Sequence, residues 1–310
     1  MTSKTILILS IIAAFVAGTI TTGTLAFADL PQCEKNPPLG TSFPRIVYLE
    51  IWAGICELED RIDNIQLIPG PPGPQGPPGL STVDCSDDNL VPGALLIGCN
   101  FMGRDLSGID LTGAILISSD LRDANLNHTL LTNANLSNAN LRNANIHNSG
   151  FGHANLSGAN LIYANINYSG FNYANLSGAD LHDTNITTTS FWGTNLSGAD
   201  LGAADLNTAN FMWANLSGVD LTQTNMLDVE FIDANLSGAD LHDADLTTSE
   251  FLGANLSNAD LSRADLTAAN FGGADLSNAN LDETDTSVAS FDFANLNCIN
   301  NSICNNPHIP

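Results

Sequence analysis

Positive charge is nearly missing from this chain. Its 310 residues hold 8 Lys+Arg against 33 Asp+Glu, a net charge of -25, and no lysine follows Lys35. Binding to nucleic acid phosphates needs a basic footprint that displaces counterions, so a nucleic-acid partner is excluded. Catalytic signatures are missing as well: there is no phosphate-cradling glycine loop, no H-E-x-x-H and no G-x-S-x-G elbow, so no enzyme is expected. The six cysteines, Cys33, Cys56, Cys85, Cys99, Cys298 and Cys304, form no C-x-x-C spacing of a zinc or redox site. Aromatic residues are 6% of the chain, and they are not scattered.

The first residues read as an address. Lys4, an apolar run from Ile6 to Ile20 and the small-residue end Ala26-Phe27-Ala28 give the three-part pattern of a secretory signal peptide over 1–28, with cleavage after Ala28. An uncleaved anchor is the competing reading, since Thr5 to Ala28 is long enough to cross a bilayer. Either places the bulk of the chain outside the cytoplasm, secreted or at the envelope, where cysteines pair. Within 29–68, Tyr48, Ile51, Ile55, Leu58, Ile62 and Ile65 fall on one seam of a short amphipathic or coiled-coil helix. A linker at 69–80 then places glycine at every third position from Gly70 to Gly79, as a collagen triple helix requires. Two readings of this stalk stand, a trimer held through helix and collagen-like segment, or a stiff polyproline spacer.

After an N-terminal cap at 81–103, the body from 104 to 296 has a period of five. From Leu106 to Leu296 every fifth residue is Leu, Ile, Phe or Met in 38 of 39 cases, Thr286 being the exception. Two residues earlier Ala stands in 25 of 39 cases, and one residue earlier Asn or Asp in 31. Neither a helix nor a simple strand keeps such a pattern on one side, so the chain turns a corner every five residues. Four pentapeptides then close a square coil, with one large and one small residue of each pointing inward. Glycines after the large position, such as Gly158, Gly178, Gly198, Gly218 and Gly238, suit tight corners.

A-(D/N)-L-x-x in tandem resembles the pentapeptide-repeat family. The resemblance implies an all-β fold, a right-handed quadrilateral parallel β-helix, here of about ten coils preceded by a short α-helix. It is looser before Ala124, at Ile109, Ile115 and Ser119, so distorted first coils are expected. The best-known members resemble duplex DNA in size and charge and occupy the DNA site of gyrase. That implies an alternative function, a DNA-mimic inhibitor or protector of DNA gyrase, which an exported protein would not meet.

A second period, of twenty, separates the sides. Phenylalanine recurs at Phe151, Phe171, Phe191, Phe211, Phe231, Phe251, Phe271 and Phe291, so all eight should stack inside the column. At ~4.8 Å per coil the rod is roughly 45–50 Å long. Asparagines from Asn155 to Asn255 share one outward column, where identical side chains favour an amide ladder. Their N-x-Ser sequons stand too close together for a glycan on every rung. Asp180, Asp200, Asp220, Asp240 and Asp260 share another column, where repulsion favours raised pKa values or cations, Ca2+ being the candidate ligand. A solvated acidic face is the plainer reading of that column.

On the phenylalanine side, Tyr173, Trp192, Met212, Trp213, Ile232 and Leu252 form an exposed apolar cluster beside Glu230 and Glu250. Such a patch rimmed by acid marks an interface, for an unknown protein or envelope component, a side-by-side dimer, or the N-terminal helix. Two ends of a solenoid need caps, and disulfides Cys85 to Cys99 and Cys298 to Cys304 are the natural closures, leaving Cys33 with Cys56; spacing alone leaves the connectivity open. The segment 297–310 is then the C-terminal cap and tail. His182-Asp183 and His242-Asp243 lie three coils apart, too far for one metal, while His128 and His147 approach on adjacent coils. The expectation is therefore a non-enzymatic structural or interaction rod, without a confident metal site.

Overall fold

The computed structural model describes residues 83–304. The expected stalk helix, the collagen-like linker, the leader and the pair Cys33 and Cys56 lie outside the described residues. What is described is a four-sided parallel β-helix whose sides each contribute one bridged residue per coil. Bridges pair each fifth residue with the one a coil later, from Leu95 with Ile115 to Asn280 with Ile299.

The hydrogen bonds of one pentapeptide, Leu236–Asp240, show why five residues suffice. Leu236 N–H donates to Asn255 C=O at 2.7 Å and Gly238 N–H to Ser257 C=O at 2.9 Å, both in the following coil. Asp240 N–H donates to Val219 C=O of the preceding coil at 2.9 Å. Ala239 N–H closes the corner onto Leu236 C=O at 3.0 Å, and Gly238, at φ 66°, is left-handed as the third residue of a type II turn requires. The remaining donor, Ser237 N–H, has no backbone acceptor and goes to the Asn235 side-chain oxygen at 3.2 Å. A backbone donor left without a partner is costly. The Asn or Asp before each large residue is thus a component of the turn. The same bond recurs from Asp105 with Ser107 to Asn295 with Asn297.

Large and small inward residues fill the interior, nearly all of them fully buried. The phenylalanine rings from Phe151 to Phe291 stack in seven successive pairs, with centroids 4.5 to 5.2 Å apart and interplanar angles of 2° to 16°. Where Ser or Thr replaces the small Ala, its hydroxyl in most cases reaches the large residue of the coil before, Ser119 and Thr224 being exceptions. Ser149 Oγ donates to Leu126 C=O at 2.6 Å and Thr194 Oγ1 to Phe171 C=O at 2.7 Å. Outside, asparagine amides bond rung to rung from Asn135 to Asn255 at 3.1 to 3.3 Å.

Two sequence expectations change. The coils begin at Leu95 rather than 104, because Cys99 and Phe101 occupy the small and large inward positions, both buried. A cysteine in the alanine slot hides that repeat. Nor are the first coils distorted: Asp105, Asp110 and Ile115 keep regular bridges to Asn125, Leu130 and Asn135. Ile109 is accommodated by partial burial, and Ser119 by full burial of a hydroxyl that finds no partner.

Both ends are closed by disulfides. Cys85 bonds Cys99 with Cα atoms 5.6 Å apart, carrying a short 3-10 helix, Asp87–Asn89, over the first coil. Cys298 bonds Cys304 with Cα atoms 4.9 Å apart, and Asn301 donates to Leu281 C=O and Thr284 C=O across the last coil at 3.1 and 3.0 Å.

Phe231→Ala removes a ring stacked on both sides and should cost about 3–5 kcal/mol, whereas Phe231→Leu, which keeps most of the volume, should cost much less. Denaturant unfolding followed by far-UV circular dichroism checks the difference, and equal costs would refute a role for the stack.

Candidate interaction site

The phenylalanine side departs from the rule that holds elsewhere. Eight residues preceding a large position between Leu106 and Leu296 are neither Asn nor Asp. Seven of them, Leu130, Gly150, Gly170, Ser190, Glu230, Glu250 and Ser290, stand on this one side, and only Ile115 stands elsewhere. The N–H groups of Gly152, Asn172, Ile232 and Leu252 consequently find no acceptor among the described residues. Trp192 N–H is rescued by the preceding coil, where Asn172 Oδ1 accepts it at 3.2 Å and Ser190 Oγ at 2.6 Å. A side that forgoes its own turn acceptors has surrendered local stability, and such exceptions gather at functional surfaces.

The six residues singled out from sequence do come together there. Tyr173 packs edge-on against Trp192 with centroids 4.7 Å apart, and Trp192 stacks on Trp213 at 5.5 Å. Met212, Ile232 and Leu252 continue the strip along the axis, Leu252 being 39% exposed, Tyr173 47% and Trp213 59%. His153, which the sequence reading missed, extends the strip by one coil, its ring stacked on Tyr173 at 5.1 Å and 7°. It lies in the same column, twenty residues before Tyr173. Gly193 leaves the room for this arrangement: a Cβ there would stand 2.9 Å from the Tyr173 ring.

Beyond Leu252 the strip ends in a recess of about 730 Å³, bordered by Leu252, Ala268, Gly272, Gly273, Val288 and Phe293. Two successive glycines remove both outward side chains of that coil, and Phe293 stands over the gap 90% exposed. Neither Val288 nor Phe293 was singled out from sequence.

Carboxylates edge the strip in fixed positions. Glu230 Oε2 accepts from Asn210 at 2.5 Å, Glu250 Oε2 from Asn270 at 2.8 Å, and Asp233 Oδ2 from the Trp213 indole N–H at 3.2 Å. Glu230 and Glu250 are bridged neighbours, and their side chains turn in opposite directions, one back and one forward along the rod.

The aspartate column lies half a coil away, on the opposite side. Asp180, Asp200, Asp220, Asp240 and Asp260 are bridged in sequence, and each accepts the N–H two residues on, at 2.9 to 3.2 Å. They occupy the turn position that asparagine fills next door. Raised pKa values are one alternative that repulsion along this column suggests; at Asp260 burial does push the carboxyl up, but the Ser262 hydroxyl and N–H, the Asn280 amide and His242 outweigh it and hold it below its ordinary value. Among the described residues no group of three or more His, Cys, Asp or Glu is arranged to hold a metal ion. His182 lies 3.5 Å from Asp183 and 3.6 Å from Asp200, and His242 lies 3.0 Å from Asp243. His128 and His147 meet edge to face at 6.1 Å, each ring bonded to an asparagine, Asn148 and Asn167.

Two outcomes test this geometry. Gly193→Val should displace Tyr173 and place a side chain at φ 62°, where L-residues are strained, and so lose the near-UV circular dichroism of the Tyr173, Trp192 and Trp213 stack while the far-UV spectrum persists. On the opposite side, the Arg263 guanidinium bonded to Asp243 holds that carboxyl below its usual value. A depressed carboxylate stabilises the fold above the unfolded pKa and ceases to do so as pH falls through the folded one. Thermal stability attributable to the pair should therefore disappear below about pH 4, and Arg263→Ala should raise the Asp243 pKa in an NMR titration.

The geometry has counterparts among known proteins. The family of pentapeptide repeats matches in 8 copies over residues 94–133, 119–156, 174–211, 209–247, 250–282 and 269–300. Comparison with curated proteins finds no match. Among solved structures, HetL from the cyanobacterium Nostoc sp. strain PCC 7120, a pentapeptide repeat protein involved in heterocyst differentiation regulation, is 31% identical, with a TM-score of 0.62 over 64% of this chain and 90% of its own. QnrB1, a plasmid-mediated fluoroquinolone resistance protein, is 23% identical with a TM-score of 0.34, over 67% of this chain and 86% of its own. A pentapeptide repeat protein from the Arabidopsis thaliana thylakoid lumen is 30% identical with a TM-score of 0.23, over 32% of this chain and 66% of its own. With its family match covering more than half of its length and its coils following one another at twenty residues, this chain belongs to the pentapeptide repeat family and folds as a right-handed quadrilateral β-helix.

Proposed function

We propose that the protein is a non-enzymatic interaction protein, exported to the cell envelope or beyond, whose rigid acidic rod binds a protein partner through its phenylalanine side. The carrying observation is the coincidence on one side of the exposed aromatic strip and of seven of the eight departures from the turn rule. Large aromatic anchors supply most of the energy in such interfaces. The export reading rests on the leader pattern of residues 1–28 and agrees with two disulfides in the rod.

A photo-crosslinking residue at position 213 or at position 240 tests the reading in cells. Adducts should form from position 213 and not from position 240, and those from position 213 should vanish when Trp192→Ser is added. Equal adducts from both sides would overturn the assignment.

The chain's net charge of -25 favours a second reading, a polyanion that occupies the DNA site of a topoisomerase. A gyrase supercoiling assay separates the two, and unchanged supercoiling at micromolar protein is the expected result.

A further inference from the structure

We infer that the phenylalanine side takes a cationic protein segment in which Lys or Arg alternates with large apolar side chains. This rests on the preceding reading that the side is an interface, and adds the chemistry of what fits it.

Charge supplies the argument. Arg104, Arg122, Arg142 and Arg263 are the arginines of the described residues, which hold no lysine, and none stands on the phenylalanine side. Arg122 and Arg263 are paired to Asp120 and Asp243 on the aspartate side, Arg142 lies over the Tyr163 ring there, and Arg104 is engaged with Asp87. The strip therefore has acids and, among the described residues, no Lys or Arg to pair with them. Three of its carboxylates, Glu230, Asp233 and Glu250, are each pinned through one oxygen by a neutral donor, while the other oxygen has no donor among the described residues. Pinned acceptors facing outward receive a cation with little further ordering.

Between and beyond these carboxylates lie apolar contacts of matching scale. Met212, Ile232 and Leu252 follow one another at one-coil spacing, and the recess under Phe293 is large enough for a bulky side chain. A second copy of the chain suits the side poorly, since it would bring the same acids against these acids, with 33 Asp+Glu in each chain. A cationic segment is instead drawn in by the field of the whole rod and held by the apolar strip.

The test uses the full-length protein and a displayed library of random peptides about twelve residues long, the leading binder then being synthesised with and without its Lys and Arg replaced by Gln. Enriched peptides should combine basic and large apolar residues. Measured by fluorescence anisotropy, the combined variant E230Q, D233N and E250Q should bind at least about tenfold more weakly, while D200N, D220N and D240N, with the same change in net charge, should stay within about twofold. Equal weakening by both triplets, enrichment of peptides without basic residues, or no enrichment would overturn the inference. So would a dimer in sedimentation that W192S with W213S dissolves, because that result gives the side to a second copy. Retention of peptide binding by W192S with W213S would instead refute the underlying assignment of the interface.

Discussion

Four of the five N–H groups in each pentapeptide are met by carbonyls of the chain itself, and the fifth depends on a side chain. That dependence sets the composition of the whole rod. It explains why Asn or Asp stands before 31 of 39 large residues and why so acidic a sequence packs so regularly. An aspartate that accepts a backbone N–H within its own turn contributes to the fold through the same oxygen that carries its charge. The acid columns are in this sense structural first, and the rod's polyanionic character follows from the turn chemistry.

Only the phenylalanine side is released from this requirement over most of its length. The release coincides with the best-stacked interior column, Phe151 to Phe291, whose rings supply burial and contact on that side. Interior stacking thus offsets what the missing acceptors give up, and the outer surface becomes available for Trp192, Trp213, Met212 and their neighbours. Left-handed backbone at Tyr173 and Trp213, at φ 59° and 60°, aims both rings outward from the corners. Strain of this kind persists only where the surrounding coils dictate it.

Much of this was legible because a solenoid writes its contacts at fixed intervals. Period five marks the inward residues, and period twenty places Tyr173, Trp192 and Trp213 on one side from the sequence alone. Legibility failed where identity masked position. Cys99 in an alanine slot concealed a pentapeptide, and the recess depends on what Gly272 and Gly273 lack, which no search for chemical groups detects. His153 and Phe293 were readable by following their column to its ends. The role of Asn235 as the acceptor for Ser237 was not, since spacing shows that two residues recur together and not which atom of one meets the other.

The two periods also separate what the chain can change in length from what it can change in meaning. A deletion or duplication of five residues leaves every inward position filled by a residue of suitable size, and the coil closes as before. Everything downstream, however, is rotated by a quarter turn relative to everything upstream, so the aromatic strip would break and its halves would face different directions. Only steps of twenty preserve both the core and the outward columns. Length variation in such a rod is consequently a means of reassigning its sides without redesigning its interior, and the unbroken run of phenylalanines from Phe151 to Phe291 records that no such quarter-turn step interrupts this stretch.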